Sequence, residues 1–288
     1  MSGFDNGGAA PPPPPPPSAG GGGAIPQRGL GDILSTAFEL YKANAAKLIQ
    51  IVAIVVVPLT FVLALLTKVA LKQNCTVEDI QTFEDLQNFS NNCTVGVGRS
   101  LLLSAIAGFI AIAIQQLVQG AVTRGGAAAT LGRAVDVKAS YRYALSRLWG
   151  LIGLSLLIAL VVGVGFILLI IPGVIFLVFL AVAVPAFIIE RTGATASMSR
   201  SWKLVSGQWW HTLGVIVVAG IIAGVVNGIL TAIGGNNFFL YWVFSTIGQI
   251  ITAPFVALVG IVLYVDLRAR HEGLTADTLG AELDAAQA

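Results

Sequence analysis

The chain has 288 residues, of which 56 % are hydrophobic and only 10 % charged, with a formal net charge of +2. An ordinary soluble domain is about one-quarter charged, so that class is excluded. The small net charge also excludes a broad basic surface for nucleic acid.

Residues 1–27 are a low-complexity tail in which Pro11 to Pro17 are followed by Gly20 to Gly23. The prolines predict a polyproline II rod and the glycines a flexible joint in a disordered cytoplasmic tail. The tail is either a solvated linker or a docking segment for an aromatic groove on a protein partner. No apolar stretch opens the chain, so no cleavable signal peptide is expected and the first span serves as the insertion signal. Ile33, Leu34, Ala37, Phe38 and Tyr41 then fall on one helical face. That amphipathic helix either lies in the headgroup layer or packs under a bundle.

Six apolar stretches follow, over 48–67, 101–123, 149–170, 173–189, 212–233 and 239–265. A bilayer core of ~30 Å takes about 20 helical residues, so each is read as a span. Ile171-Pro172-Gly173 and Gly234-Gly235-Asn236-Asn237 predict tight turns. Aromatic and basic residues precede the third span (Tyr141, Arg142, Tyr143, Arg147) and the fifth (Arg200, Trp202, Lys203, Trp209, Trp210). The prediction is an all-α polytopic membrane protein of six transmembrane helices. These form three antiparallel hairpins, each preceded by a cytoplasmic interfacial amphipathic helix. The membrane domain occupies 28–271 and a C-terminal cytoplasmic tail 272–288.

Charge sets the orientation. Arg28, Lys42, Lys47, Arg124, Arg133, Lys138, Arg142, Arg147, Arg191, Arg200, Lys203, Arg268 and Arg270 fall on one side, and Lys68, Lys72 and Arg99 on the other. Positive charge marks the cytoplasmic face, so both termini are cytoplasmic and the loop 72–98 is extracytoplasmic. That loop holds Cys75 and Cys93, which bracket a predicted acidic helix over 76–87. An oxidising face favours a Cys75–Cys93 disulfide, the alternative being two unpaired thiols.

Within the spans, Gly220, Gly224 and Gly228 form a ladder of small residues with Asn227 beside it. Such a ladder lets helix backbones approach closely, and packing within the chain is preferred over packing between chains. Ser104, Gln115 and Gln119 form a polar stripe that turns inward. These side chains either line a polar cavity or satisfy one another and the backbone near Pro58, Pro185 and Pro254. No ionisable residue is expected deep within a span, and Glu190 and Asp266 read as boundary ion pairs beside Arg191 and Arg268.

No metal-ligand cluster, phosphate-binding glycine loop or nucleophile–base pair is visible, so no catalytic, cofactor-binding or metal residue is assigned. Arg142, Arg147, Arg200, Trp202, Lys203, Trp209 and Trp210 are assigned to contact with anionic lipid headgroups.

Three stretches carry a family resemblance: Gly29-Leu30-Gly31-Asp32-Ile33-Leu34 through Asn44, Ile170-Ile171-Pro172-Gly173-Val174, and Glu190-Arg191-Thr192-Gly193 followed by Ser199 through Trp210. Together they resemble the bacterial glycerophosphoryl diester phosphodiesterase membrane domain proteins over roughly 28–270, and the composition resembles actinobacterial members. The resemblance implies a bacterial plasma (inner) membrane protein. It does not carry phosphodiesterase activity, which in the relatives belongs to a separate soluble barrel with two His and paired carboxylates. This chain has only His211 and His271 and no barrel-sized segment. The functional expectation is a non-catalytic integral membrane protein that binds lipid or scaffolds other envelope proteins. The alternative is a transporter or permease for a lipid-like or neutral solute.

Overall fold

The computed structural model describes residues 25–70, 83–235 and 237–285. Among the described residues every regular element is a helix: α1 Leu30–Ala70, α2 Phe83–Thr130, α3 Val137–Ser146, α4 Leu148–Leu168, α5 Ile170–Phe179, α6 Ala183–Ile189, α7 Ala194–Val205, α8 Trp209–Gly234, α9 Phe238–Glu272 and α10 Ala276–Ala285.

Among the described residues, five segments are long and apolar enough to cross a membrane: Leu30–Val62, Leu148–Leu168, Ile170–Ile189, Trp209–Gly234 and Phe238–Glu272. Their outer faces are oily. Ile167 is 86 % exposed and Ile170 73 % exposed, and Leu156, Leu160 and Ile221 are exposed as well. Contiguous apolar surface of this extent needs lipid rather than water around it. The protein is an α-helical integral membrane protein.

α9 is the central pillar. Its apolar window is 67 % buried, against 11 % for α8. From Ala257 to Ala269 it is buried all round except at Gly260. A helix that is apolar on every face belongs in the core. α1, α2 and α8 pack around it.

Several sequence expectations change. The amphipathic stretch 30–44 does not form a separate helix. It runs without a break into the first span, making α1 41 residues long. At ~1.5 Å per residue that is about 60 Å, twice the hydrocarbon core. No glycine, proline or capping residue separates Ala43-Asn44-Ala45-Ala46 from the span, so nothing ends the helix there. Ile33 and Ala37 are fully buried, and Leu34, Phe38 and Tyr41 line an apolar pocket with Ile222, Val226 and Phe255. This segment therefore packs on α8 and α9. On the other side, helix runs unbroken from Phe83 to Thr130 where a short helix, a loop and a span were expected. Most of the expected 76–87 helix lies outside the described residues.

The reversal between α4 and α5 falls at Leu169, ahead of the expected Ile171-Pro172-Gly173 turn. Leu169 is extended (φ −164°, ψ 153°). Pro172 sits in the first turn of α5, where a missing N–H costs nothing. Gly173 serves close approach: an added Cβ would stand 2.5 Å from the Phe166 ring. Pro185 likewise sits in the first turn of α6, while Pro58 and Pro254 lie inside α1 and α9 without ending them.

The C-terminal segment is not a loose tail. Thr275 and Thr278 cap each other reciprocally, each hydroxyl accepting from the other's backbone N–H. The helix α10 that follows buries Leu279 and Leu283 in the main core.

Candidate functional site

Arginines from α2, α3, the α6–α7 loop, α7 and α9 gather at one end of the bundle, where α10 meets the ends of α2 and α9. Two clusters form there, and they differ in kind.

The first is balanced. Arg200 Nε donates to Glu190 Oε1 at 2.7 Å and Oε2 at 3.0 Å, and its Nη2 reaches Glu272 Oε2 at 2.7 Å. Tyr264 donates to Glu190 at 2.6 Å. Arg268 forms a fork with Glu282 at 2.7 and 2.9 Å and reaches Glu272 at 3.1 Å. Every guanidinium here meets at least one carboxylate, which is the pattern of a structural clamp. Beside it, Asp266 is fully buried and accepts from the Arg28 N–H at 2.6 Å and Arg270 Nε at 2.7 Å. The boundary pairs expected from sequence are therefore re-partnered. Glu190 belongs with Arg200 and Tyr264 rather than Arg191, and Asp266 with Arg270 and Arg28 rather than Arg268.

The second cluster is unbalanced. A cavity of about 610 Å³ is lined by Arg124, Arg133, Arg142, Arg147 and Arg191, with Asp136 as its one lining carboxylate. Arg124 reaches this place because the end of α2 is built from small residues. A Cβ added to Gly126 would stand 2.5 Å from Ile261 Cδ1, and one on Gly120 2.6 Å from Leu151 Cδ1. Neighbouring helices close over the seam and bury residues 121–127. Arg124 is left 8 % exposed. Its Nη2 donates to the Leu283 carbonyl at 2.7 Å, its guanidinium lies 5.0 Å from the Tyr143 ring centre, and its Nη1 is buried with no hydrogen-bond partner among the described residues. Residue 124 lies past the end of the apolar stretch, and burial, the largest influence, draws its pKa below the ordinary arginine value.

The rest of the wall is positioned by α3, α4 and the α6–α7 loop. Asp136 caps α3, accepting from the Ala139 N–H at 3.0 Å. Tyr143 ties α3 to α6 by donating to the Ile188 carbonyl at 2.7 Å. Tyr141 donates to the Ile51 carbonyl of α1. Burial pushes its pKa up to about 12, so the hydroxyl stays a donor across the physiological range. Arg147 Nη2 donates to the Arg191 carbonyl at 3.2 Å. Arg191 itself is left-handed, with φ 57°, a conformation uncommon for a residue with a side chain. Arg133 pairs with the exposed Asp284. Among the described residues, Arg124, Arg142, Arg147 and Arg191 have no carboxylate partner.

The remaining sequence-assigned residues are dispersed. Arg142 and Arg147 lie on the cavity, whereas Arg200 is held between two carboxylates. Trp202 stacks on Phe179 with ring centres 4.0 Å apart and remains part-exposed. Lys203 is exposed. Trp209 and Trp210 meet edge to face at 4.6 Å, with Trp210 exposed.

Among the described residues the glycine ladder meets no packing partner. No described atom lies within 4 Å of a Cβ added at Gly220, Gly224 or Gly228. The α8–α9 seam runs instead through Ala223, Asn227, Leu230 and Gly234, about 100° around the helix. Asn227 donates to Thr252 at 2.9 Å across that seam, and Gly248 supplies the close approach, an added Cβ standing 2.5 Å from Asn227 Oδ1. Gln115 and Gln116 line a cavity of about 350 Å³ with Thr60 and Gln249, while Gln119 is half-buried outside it. The side chain of Ser104 and the whole of Cys75 lie outside the described residues, as does the side chain of Cys93. The expected disulfide gains no support.

Nothing in the sequence joins Arg124, Arg133 and Arg191 as members of one site. They are separated by up to 67 positions and only the tertiary fold brings them together. The one local signal is Arg124 embedded in a run of Gly and Ala. The chain matches no protein-family model, no curated protein and no solved structure.

Proposed function

We propose that this is a non-catalytic integral membrane protein of six spans, with both termini cytoplasmic, that engages anionic lipid headgroups at its basic end. One observation carries the reading: guanidinium groups without carboxylate partners are concentrated at one end of a bundle whose flanks are apolar. Each basic side chain near an anionic surface contributes ~1 kcal/mol, and exposed Trp rings anchor at headgroup depth. Trp149, Trp202 and Trp210 are exposed at the entries to apolar helices. The family resemblance belongs to the same proposal and brings no enzymatic activity with it.

Purified from anionic and zwitterionic nanodiscs, the wild-type chain should retain anionic lipid preferentially. Lys203→Gln combined with Trp210→Ala, both at exposed positions, should lower that preference about fivefold, from ~1 kcal/mol for the charge. Identical lipid ratios in the two proteins would end the surface reading. The topology is checked separately by labelling single cysteines in intact cells: Asn88→Cys should react and Ser18→Cys should stay protected.

A permease for a lipid-like or neutral solute is the second reading, supported by the cavity shared by Thr60, Gln115, Gln116 and Gln249. Solute uptake by proteoliposomes separates it from the first.

A further inference from the structure

We propose that the open cavity between α2, α3, the α6–α7 loop and α10 is a binding site for a phosphate ester. The inference deepens the headgroup reading and rests on it only for the lipid as the source of the ester.

A guanidinium buried without a counter-charge is costly, because desolvation is repaid only by a well-placed anion. Arg124 comes close to that state: among the described residues no carboxylate stands within ion-pair distance of it, and Asp284 acts on it only from farther away. It is 8 % exposed, donates to one carbonyl, lies over one ring face, and has Nη1 buried with no hydrogen-bond partner among the described residues. The wall opposite adds Arg142, Arg147 and Arg191 without carboxylates, while Asp136 is engaged in capping α3. The neighbouring cluster at the same end shows the contrast: there Glu190, Glu272 and Glu282 neutralise Arg200 and Arg268. The chain thus balances its guanidinium groups in the clamp, whereas around the cavity only Asp136 and Asp284 stand against five arginines.

Arg191 adds a second, independent sign. A non-glycine residue at φ 57° persists only where the surroundings hold it, and such outliers gather at ligand sites. Several planar guanidinium forks around one space suit tetrahedral phosphate oxygens, which accept bidentate hydrogen bonds. The volume, about 610 Å³, falls within the range of small-molecule sites and exceeds what a bare phosphate fills. The space therefore has room for a phosphate together with part of an organic substituent.

The test uses the full chain in neutral detergent, titrated calorimetrically with two probes: short-chain phosphatidic acid and sn-glycerol 3-phosphate. Arg191→Gly removes the guanidinium while relieving the left-handed backbone, so it keeps the fold. Arg142→Gln changes an exposed side chain. Lys138→Gln removes an equal charge from α3 at an exposed residue that is not among those lining the cavity. Wild type should bind at least one probe saturably, one per chain. Arg191→Gly and Arg142→Gln should each weaken binding tenfold or more, and Lys138→Gln less than twofold. Binding of phosphatidic acid alone identifies a lipid as the source. Binding of sn-glycerol 3-phosphate alone assigns the site a soluble ester, which removes the lipid as its source but leaves the site, and equal binding of both supports the phosphate ester as the shared chemistry. Absence of saturable binding by wild type overturns the proposal, as does wild-type affinity in Arg191→Gly and Arg142→Gln. Neither result touches the Lys203 and Trp210 lipid comparison, so the two readings fail separately.

Discussion

A chain carrying Leu279→Ala and Leu283→Ala should melt far below wild type. Both side chains are 1 % exposed and belong to the main core. Each truncation removes about 2–5 kcal/mol. The two sit one turn apart and share neighbours, so the combined loss is smaller than the sum. A loss of this size lowers the melting temperature by on the order of 10 °C in a domain of this length. Thermal unfolding in lipid-supplemented detergent measures it, with exposed Asp277→Ala as the reference that should stay within noise. An unchanged transition in the double variant would mean that α10 is dispensable. Apolar burial, not charge, is what docks the helix. The Arg133–Asp284 pair is largely exposed, and exposed pairs contribute little. Hydrogen bonding from Arg133 holds the Asp284 carboxyl below its ordinary pKa. Its contribution is therefore fully present above the ordinary carboxyl value and fades only as pH falls through the lowered one. Near neutral pH, α10 docking should be independent of pH.

The same helix ties stability to the proposed site. Leu283 supplies both a wall of the cavity and the carbonyl that receives Arg124 Nη2. Loosening α10 should therefore weaken phosphate-ester binding, even though no arginine has been changed.

How much of this could be read from the chain depends on the range of the interaction. Apolar length is local, so the helical membrane class followed from composition. The α8–α9 connection was equally local: Gly235 takes φ 54°, and Asn237 caps α9 by accepting from Phe239 and Leu240. Pro172-Gly173 misled because the pair serves equally as a turn or as the first turn of a helix with a close neighbour. Gly220, Gly224 and Gly228 misled in the other direction. Small residues permit close packing, but the seam is chosen by the residues that gain most from it, here Asn227 with Thr252. Helix α10 was missed because two leucines among Ala, Asp and Glu carry a weak periodic signal, and their burial depends on a groove made by distant elements. The partners of Glu190 and Asp266 were misassigned for the same reason. Sequence adjacency suggested Arg191 and Arg268, whereas helix geometry sends adjacent side chains in different directions. Arg270 lies one turn from Asp266 and Arg200 is brought back by α7, so each reaches the carboxylate that its neighbour in sequence cannot.

Asp266→Ala should destabilise the protein by about 3–5 kcal/mol, the usual cost of removing one partner from a buried charge pair. The carboxylate is fully buried on the central helix. It accepts from Arg270 Nε at 2.7 Å on its own helix and from the Arg28 backbone N–H at 2.6 Å, which fixes the entry of α1 against α9. The Arg270 guanidinium also donates to the Arg28 carbonyl, so one acid and one base close both hydrogen-bonding groups of a single residue ahead of α1. His211 Nε2 stands 3.5 Å away, beyond a well-formed hydrogen bond, and has no hydrogen-bond partner among the described residues. Removing the acid leaves Arg270 and the Arg28 N–H without their acceptor in a poorly solvated site. Asp266→Asn keeps a neutral oxygen for the Arg28 N–H and should lose less. Arg270→Leu introduced into the Asp266→Ala chain removes the stranded cation and should recover part of the loss, giving a coupling of ~1–3 kcal/mol in a double-mutant cycle. Unfolding of the four proteins in one detergent and lipid mixture measures all of these terms. Strict additivity, or an Asp266→Ala transition equal to wild type, would show that α1 is held to α9 by apolar contact alone.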